Sequence, residues 1–263
     1  MPHRRHPHRH PPVTPVGVLV SHPLIIGCLV VLSAAFAALA TYDGGSVLLH
    51  VDRPVELWVQ RHRTSRLDGT FLTLSRFGSN LVVFPVAAAL VIVTYRRCRS
   101  LALSVALAVL ARSPIEHVIK MLVDRERPDF ERLVDGTGPS HPSGHVLAAV
   151  ALWGLLPPVV GMLTHRRLWW WTSVAVGAVL IAGSSLSRVY VGVHWPTDVV
   201  QGWILGALYL IAIEALFDHH HRHRICRVPI AALAMPPRRA PTAAPTGRPE
   251  TREHGAAQEV AHP

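Results

Sequence analysis

The sequence has 263 residues, half of them hydrophobic, and a mean hydropathy of +0.31. Its formal net charge is +10, but the first fifteen residues hold three Arg and no acid, and residues 219–263 hold seven Arg and only three Glu. Most of the excess charge therefore lies at the two ends, where it resembles the basic flanks of a membrane protein. We predict no nucleic-acid partner from this distribution.

Apolar runs long enough to cross a bilayer recur through the middle of the chain, since a helical span needs roughly 20 apolar residues. They predict an all-α fold, a bundle of six transmembrane helices over residues 16–217. The six spans are expected at 16–41, 70–95, 100–123, 143–164, 168–187 and 196–217, with a bend in the fourth at Pro157–Pro158. Residues 1–15 and 218–263 are predicted to be disordered basic tails.

The arginines of the loops predict how the chain sits in the membrane. The links after the second span (Arg96, Arg97, Arg99) and the fourth span (Arg166, Arg167) are basic and contain no acid. The links at 42–69 and 124–142 mix acids with arginines. The positive-inside rule therefore predicts a multi-pass cell-membrane protein with both termini and the basic links in the cytoplasm.

The first outer link contains apolar residues at helical spacing. Val47, Val51 and Val55 recur every four residues, with Trp58 beside them. This spacing is typical of a short helix lying on the membrane surface. A partly ordered surface loop is the alternative interpretation.

Three polar clusters are predicted at the outward-facing ends of spans. They contribute three cations, Lys120, Arg127 and Arg188. Ionisable groups near membrane depth are costly and are usually functional. Three converging cations indicate a multiply charged anion such as phosphate, since Arg presents a planar fork to phosphate oxygens and Lys a compact point charge.

The stretch PSGH begins the fourth span and is suited to anion binding. Ser143 fits the N-cap position, and the free backbone N–H groups of a helix start bind phosphate. Gly144 lets the backbone approach an anion closely. His145 follows in the first turn, near any bound phosphate. An ordinary helix cap is the alternative for this stretch taken alone.

His194 and Asp198 lie four residues apart at the start of the sixth span, with Pro196 at a favourable first helical position. The carboxylate can accept a hydrogen bond from one imidazole nitrogen and fix the tautomer. The other nitrogen is then free to attack phosphorus. A local hydrogen bond without catalytic meaning is the alternative for this pair in isolation.

The three clusters together resemble the signature of the type 2 phosphatidic acid phosphatase superfamily, which includes vanadium-dependent haloperoxidases and glucose-6-phosphatase. Residues 120–128 read K-x6-RP, residues 142–145 read PSGH, and residues 187–198 read SR-x5-H-x3-D. No position of the three motifs departs from the pattern. The motifs span residues 120–198, and the six-span plan extends the resemblance to 16–217.

The resemblance implies a metal-independent phosphatase that needs no cofactor and acts on a membrane lipid phosphate at the outer face. His194 would be the nucleophile that forms a phosphohistidine, Asp198 would orient it, and His145 would protonate the leaving oxygen. The phosphate ligands implied by the same motifs are Lys120, Arg127, Ser143, Gly144 and Arg188. Polyprenyl diphosphate, phosphatidic acid and phosphatidylglycerol phosphate are the candidate substrates.

Two other functions remain as alternatives: a haloperoxidase with vanadate in the same site, and a transporter or non-catalytic lipid-binding protein. Arg112 and Glu116, four residues apart, are predicted to form a structural ion pair within the third span. The histidine-rich segment 219–224 is predicted to be a basic flank rather than a metal site. His141 receives no role.

Overall fold

The computed structural model describes residues 23–42, 46–164 and 166–222. This part of the chain is helical and contains no strand. Its ten helices are α1 (Pro23–Thr41), α2 (Ser46–Arg61), α3 (Ser65–Arg76), α4 (Asn80–Tyr95), α5 (Arg99–Leu110), α6 (Arg112–Val123), α7 (Gly144–Trp153), α8 (Leu156–Thr164), α9 (Arg167–Tyr190) and α10 (Pro196–Arg222).

The described helices give four to six membrane spans. Four stretches are long and apolar enough to cross a bilayer: Arg99–Val123, Gly144–Thr164, Arg167–Tyr190 and Pro196–Phe217. Two more spans result when α1 with α2, and α3 with α4, are each counted as one bent pair. The all-α membrane bundle is therefore confirmed. Residues 16–22 of the predicted first span lie outside the described residues. So do residues 1–15 of the N-terminal tail and residues 223–263 of the C-terminal tail.

Two predicted span boundaries were wrong. The second span begins at Ser65 rather than at Thr70, and it bends by 41° between α3 and α4. The fourth span breaks before Leu156 rather than at Pro157–Pro158. Proline lacks the N–H donor and disfavours helix in the residue before it, so the two prolines fall in the first turn of the new helix α8.

Helix α7 lies at the centre of the bundle, with residues 146–153 all buried. It packs against α5, α9 and α10. Gly202 and Gly206 of α10 face Val146 and Val150 of α7, where an added Cβ would lie 2.9 and 2.6 Å from the valine side chains. Small residues four apart let two membrane helices approach closely, so this contact fixes the start of α7 beside the start of α10.

Helix α2 confirms the predicted helix in the first outer link and lies at 91° to α1. Its apolar residues Val47, Val51 and Trp58 are exposed, whereas Asp52 and Glu56 are buried. The helix therefore turns an acidic face toward the bundle and an apolar face outward. Placement of that apolar face on the membrane surface stays a prediction.

Candidate active site

The ends of four helices meet at one end of the bundle and bring the eight predicted site residues together. Lys120 lies in the last turn of α6, residues 143–145 begin α7, Arg188 lies in the last turn of α9, and Asp198 lies in the first turn of α10. The backbone N–H of Ser143 donates to the carbonyl of Asp198 at 3.3 Å, which joins two of these helix starts. The arginines at 96–99 and 166–167 lie at the opposite ends of the same spans.

The turn between α9 and α10 presents His194 to the site. Gly192 has a φ of +78°, a left-handed conformation that side chains disfavour, and a Cβ there would lie 2.8 Å from the carbonyl of Glu131. The N–H of His194 then donates to the carbonyl of Arg188 at 3.3 Å. Pro196 starts α10 directly afterwards, as predicted.

The imidazole of His194 is buried between a carboxylate and a guanidinium. Its Nε2 lies 3.4 Å from Arg127 Nη1, and its Nδ1 lies 3.7 Å from Asp198 Oδ2. The carboxylate thus faces Nδ1, but the predicted hydrogen bond between them is not formed at this distance. Because a guanidinium only donates hydrogen bonds, the contact with Arg127 requires an Nε2 lone pair and places the ring proton on Nδ1, toward the carboxylate. Burial lowers the pKa of His194 to about 4, although Asp198 opposes the shift. Nε2 of His194 is therefore unprotonated at neutral pH.

The start of α7 contains an unsatisfied donor. Ser143 occupies the N-cap position, as predicted, but its side chain makes no capping hydrogen bond. Its buried Oγ has no hydrogen-bond partner in the described part of the chain. The hydroxyl and the free backbone N–H groups of the first turn are therefore available to an anion. His145 is half-buried there, within electrostatic range of Arg188 and His194.

Lys120 has an acid beside it. Lys120 Nζ lies 2.8 Å from Glu116 Oε1, and Arg112 lies 3.9 Å from the other carboxylate oxygen. The predicted Arg112–Glu116 pair is thus present, but Glu116 binds Lys120 more closely. The same carboxylate contacts Gly144 so closely that a Cβ there would overlap it. A carboxylate thus lies at the helix start where the sequence predicts phosphate.

The other two predicted phosphate ligands also have protein partners. Arg188 Nη1 donates to Ser75 Oγ of α3 at 2.6 Å. Arg127 donates to the backbone carbonyls of residues 137, 138 and 139 and, at 2.7 Å, to that of Val193. Burial lowers the pKa of Arg127, and the nearby carboxylate of Asp198 opposes that shift. Arg127 therefore fixes the loop before PSGH as well as facing His194.

A buried polar network missed by the sequence analysis lies behind His194. Asp198 Oδ1 accepts from Arg125 Nη1 at 2.8 Å and lies 3.2 Å from His141 Nδ1. Arg125 Nη2 in turn donates to Asp52 Oδ2 of α2 at 2.7 Å. The sequence signal was the helical spacing of Asp52 and Glu56, which places both acids on the face opposite the valines of α2.

A cavity of about 590 Å³ lies beside the site. It runs along one face of α6 and is closed on the other side by the loop at 137–139. Its lining residues include Ser113, Glu116, His117, Lys120, Met121 and Asp124. Met121, with 69% of its surface exposed, lies on the outer flank of the bundle. The cavity therefore connects that flank with Lys120.

The described residues contain no cluster of three or more His, Cys, Asp or Glu side chains suited to holding a metal ion. The side chains of the histidine-rich segment 219–224 lie outside this description. What the site does contain is a buried imidazole, a second histidine, three cations and a helix start whose serine hydroxyl has no partner among the described residues. On a multi-span membrane bundle, these features define the class of membrane phosphatases.

Comparison with known proteins agrees with that class. Residues 97–222 match the PAP2 superfamily. An undecaprenyl-diphosphatase from Sulfolobus acidocaldarius is 32% identical over 161 residues, which cover 58% of this chain and 73% of the relative. The chain belongs to the PAP2 superfamily, and it is a phosphatase of that metal-independent family.

Two further relatives have different named substrates. Phosphatidylglycerophosphatase B from Bacillus subtilis is 32% identical over 42% of this chain and 55% of its own length. A decaprenylphosphoryl-5-phosphoribose phosphatase from Mycobacterium tuberculosis is 29% identical over 57% of this chain and 81% of its own. The similarity therefore covers proteins named for several different lipid phosphates.

A solved structure shares the fold. The crystal structure of a transmembrane PAP2-type phosphatidylglycerolphosphate phosphatase from Bacillus subtilis superposes with a TM-score of 0.65 at 21% identity. The superposition covers 78% of this chain and 98% of that one. The helix arrangement that brings the three motifs together is thus that of a PAP2 membrane enzyme.

Proposed function

We propose that this protein hydrolyses a phosphate monoester or diphosphate of an amphiphilic lipid through a phosphohistidine on His194. The observation that carries the proposal is the placement of the imidazole, with Asp198 facing Nδ1 and Arg127 facing Nε2. This arrangement leaves the lone pair of Nε2 directed at a guanidinium that a bound phosphoryl group would also contact. The motif positions and the family membership support the same assignment.

In the first step, Nε2 of His194 attacks phosphorus and the bond from phosphorus to the leaving oxygen breaks. The proton on Nδ1 stays in place, and the charge of Asp198 stabilises the positive ring that forms. Arg127, Arg188 and Lys120 stabilise the charge on the transferred phosphoryl group, with Ser143 Oγ and the backbone N–H of Gly144 as further donors.

His145 supplies the proton that the leaving oxygen takes up. The bound phosphate is an anion beside His145, so substrate binding itself favours protonation of His145. In the second step, the now neutral His145 accepts a proton from water as its oxygen attacks phosphorus. The bond to Nε2 breaks, inorganic phosphate forms, and His194 returns to its starting state.

The cavity along α6 supports a lipid substrate. It leads from the exposed outer flank of the bundle to Lys120, so a tailed substrate can enter sideways while its chains stay in the bilayer. Polyprenyl diphosphate, phosphatidic acid and phosphatidylglycerol phosphate share that shape. The arginine distribution supports a site at the outer face with both termini in the cytoplasm. A C-terminal reporter that reads as extracytoplasmic would overturn this orientation.

Phosphate release by purified protein from a panel of these three lipids, with and without EDTA, tests the proposal. We expect release that EDTA does not change, and a loss of at least about 10³-fold in His194→Ala, as for removal of a covalent nucleophile. His50→Ala, which removes an exposed histidine of α2, is the matched control. Wild-type-like release by His194→Ala would contradict the nucleophile, and metal-dependent release would contradict the mechanism.

A further inference from the structure

We infer that Asp52 and Arg125, neither of which occupies a fixed position of the three motifs, are positioning residues that hold Asp198 in register with His194. The inference rests on the proposed role of His194 as nucleophile. Neither residue contacts the imidazole. Both act through the carboxylate of Asp198, which is completely buried.

The orientation of the Asp198 carboxylate is set by its other partners. Its Oδ2 accepts the backbone N–H of Trp195 at 3.0 Å and lies 3.7 Å from His194. Its Oδ1 accepts from Arg125 at 2.8 Å and lies 3.2 Å from His141. The contacts with Arg125, Trp195 and His141 are all shorter than the contact with His194, so they determine which way Oδ2 faces.

The guanidinium of Arg125 joins two carboxylates. Nη1 binds Asp198 Oδ1 and Thr197 Oγ1, both at 2.8 Å, and Nη2 binds Asp52 Oδ2 at 2.7 Å. Arg125 is 2% exposed and Asp52 is fully buried. A planar fork held at both ends cannot rotate, so its Nη1 stays fixed against Asp198.

Asp52 also fixes the backbone that carries Asp198. Its Oδ1 accepts the backbone N–H of Thr197 at 2.9 Å, and its Oδ2 accepts the hydroxyl of Thr197 at 2.6 Å. Thr197 lies in the first turn of α10, one residue before Asp198. The carboxylate therefore satisfies a free N–H group of this helix start while it anchors Arg125.

Asp52→Asn tests the inference, because the change keeps the shape and the acceptor for the Thr197 N–H but turns a donor toward Arg125 Nη2. We expect kcat to fall about 10- to 100-fold, the range typical of lost support behind a catalytic group. KM and the inhibition constant of inorganic phosphate should change less than about threefold, because neither residue touches the phosphate. Arg53→Gln, which removes a neighbouring exposed ion pair on the same helix, is the control.

A double-mutant cycle separates positioning from general loss of structure. If Asp52 acts through Asp198, adding Asp52→Asn to Asp198→Asn should cost less than about threefold in the rate of phosphoenzyme formation. The same 10- to 100-fold loss in both backgrounds would overturn the inference. Thr197→Val and Thr197→Ser form a milder pair, of which only the valine should slow the enzyme.

Wild-type kcat in well-folded Asp52→Asn would also overturn it, with folding checked by size exclusion and thermal unfolding in detergent. His194→Ala in the same assay distinguishes this failure from failure of the proposed function. An active His194→Ala contradicts the phosphohistidine itself. An inactive His194→Ala beside a fully active Asp52→Asn contradicts only the positioning role.

Discussion

The two sides of the His194 imidazole are built differently. On the Nδ1 side, Asp198 and the residues behind it form a buried network in which Arg125 binds both Asp52 and Asp198 directly. On the Nε2 side, the groups predicted to hold phosphate either bind other side chains or have no partner among the described residues. Lys120 binds a carboxylate, Arg188 binds a hydroxyl, and the Ser143 hydroxyl has no partner among the described residues.

This difference separates what must stay fixed from what must exchange. In the proposed mechanism the Nδ1 side, which we call the fixed side, keeps the proton on Nδ1 and the negative charge on Asp198 in every step. Preorganisation there therefore costs no reorganisation during the reaction. In the proposed mechanism the Nε2 side, which we call the exchangeable side, alternates between an empty and a phosphate-bound state. Its cations need partners in the empty state, because unpaired buried charges are costly, but partners that an anion can displace.

Among the variants that test this difference between the two sides, the largest effect is expected for Arg188, the most deeply buried cation on the exchangeable side. Arg188→Lys keeps the charge but removes the planar fork, and we expect kcat/KM for the preferred lipid phosphate to fall about 10²-fold or more, as when a donor to the transition state is lost. Arg188→Ala should cost more. Steady-state phosphate release measures both values.

Arg76→Gln is the matched control, because Arg76 follows Ser75 on α3 but is exposed. It should retain near-wild-type kcat/KM. Equal activity of Arg188→Lys and wild type would show that this site needs only a charge at Arg188, and the proposed contrast between fork and point charge would be wrong.

The residues of the exchangeable side were largely predictable from the sequence, and the contacts behind Asp198 on the fixed side were not. Lys120, His145 and Arg188 lie in motifs with defined spacing, and the helix ends that carry them could be placed from hydropathy alone. Asp52 and Thr197 are 145 residues apart in the chain, so their contact depends on how α2 packs against α10. No local pattern encodes that packing.

Glu116 shows a different limit of prediction from the sequence. Its spacing predicted the pair with Arg112 correctly, but Lys120 lies at the same i,i+4 spacing on the other side of Glu116. Helical spacing alone cannot rank two such partners. The contact of the carboxylate with Gly144 depends on the packing of α6 against α7, which is again a tertiary property.

The fixed side predicts an unusual pH profile. Burial lowers the pKa of His194 to about 4, so the nucleophile loses its free lone pair only as the pH falls through about 4. A phosphate monoester gains its own proton near pH 6. The plot of log kcat/KM against pH reports the free enzyme and free substrate, and its slope should therefore increase by about one as the pH falls through about 4.

An ordinary histidine, with a pKa near 6.5, would give that increase in slope near pH 6.5 instead. Asp198→Asn removes the carboxylate that favours the charged imidazole, so the second break should move to lower pH in that variant, with Asp129→Asn as an exposed control. A break near 6.5 in the wild type would contradict the buried, neutral nucleophile.

The smallest predicted effect concerns Glu116, and it tests whether the partners on the exchangeable side are displaceable. In Glu116→Gln, Lys120 loses the carboxylate with which phosphate has to compete, while the side chain keeps its size against Gly144. A half-buried ion pair contributes on the order of 1 kcal/mol, so we expect inorganic phosphate to inhibit about fivefold more tightly. Glu131→Gln, at an exposed position in the link that follows α6, should leave inhibition by inorganic phosphate unchanged. Weaker inhibition in Glu116→Gln would mean that the carboxylate holds Lys120 in place for phosphate rather than competing with it, and the Nε2 side would then be as preorganised as the side that Asp198 occupies.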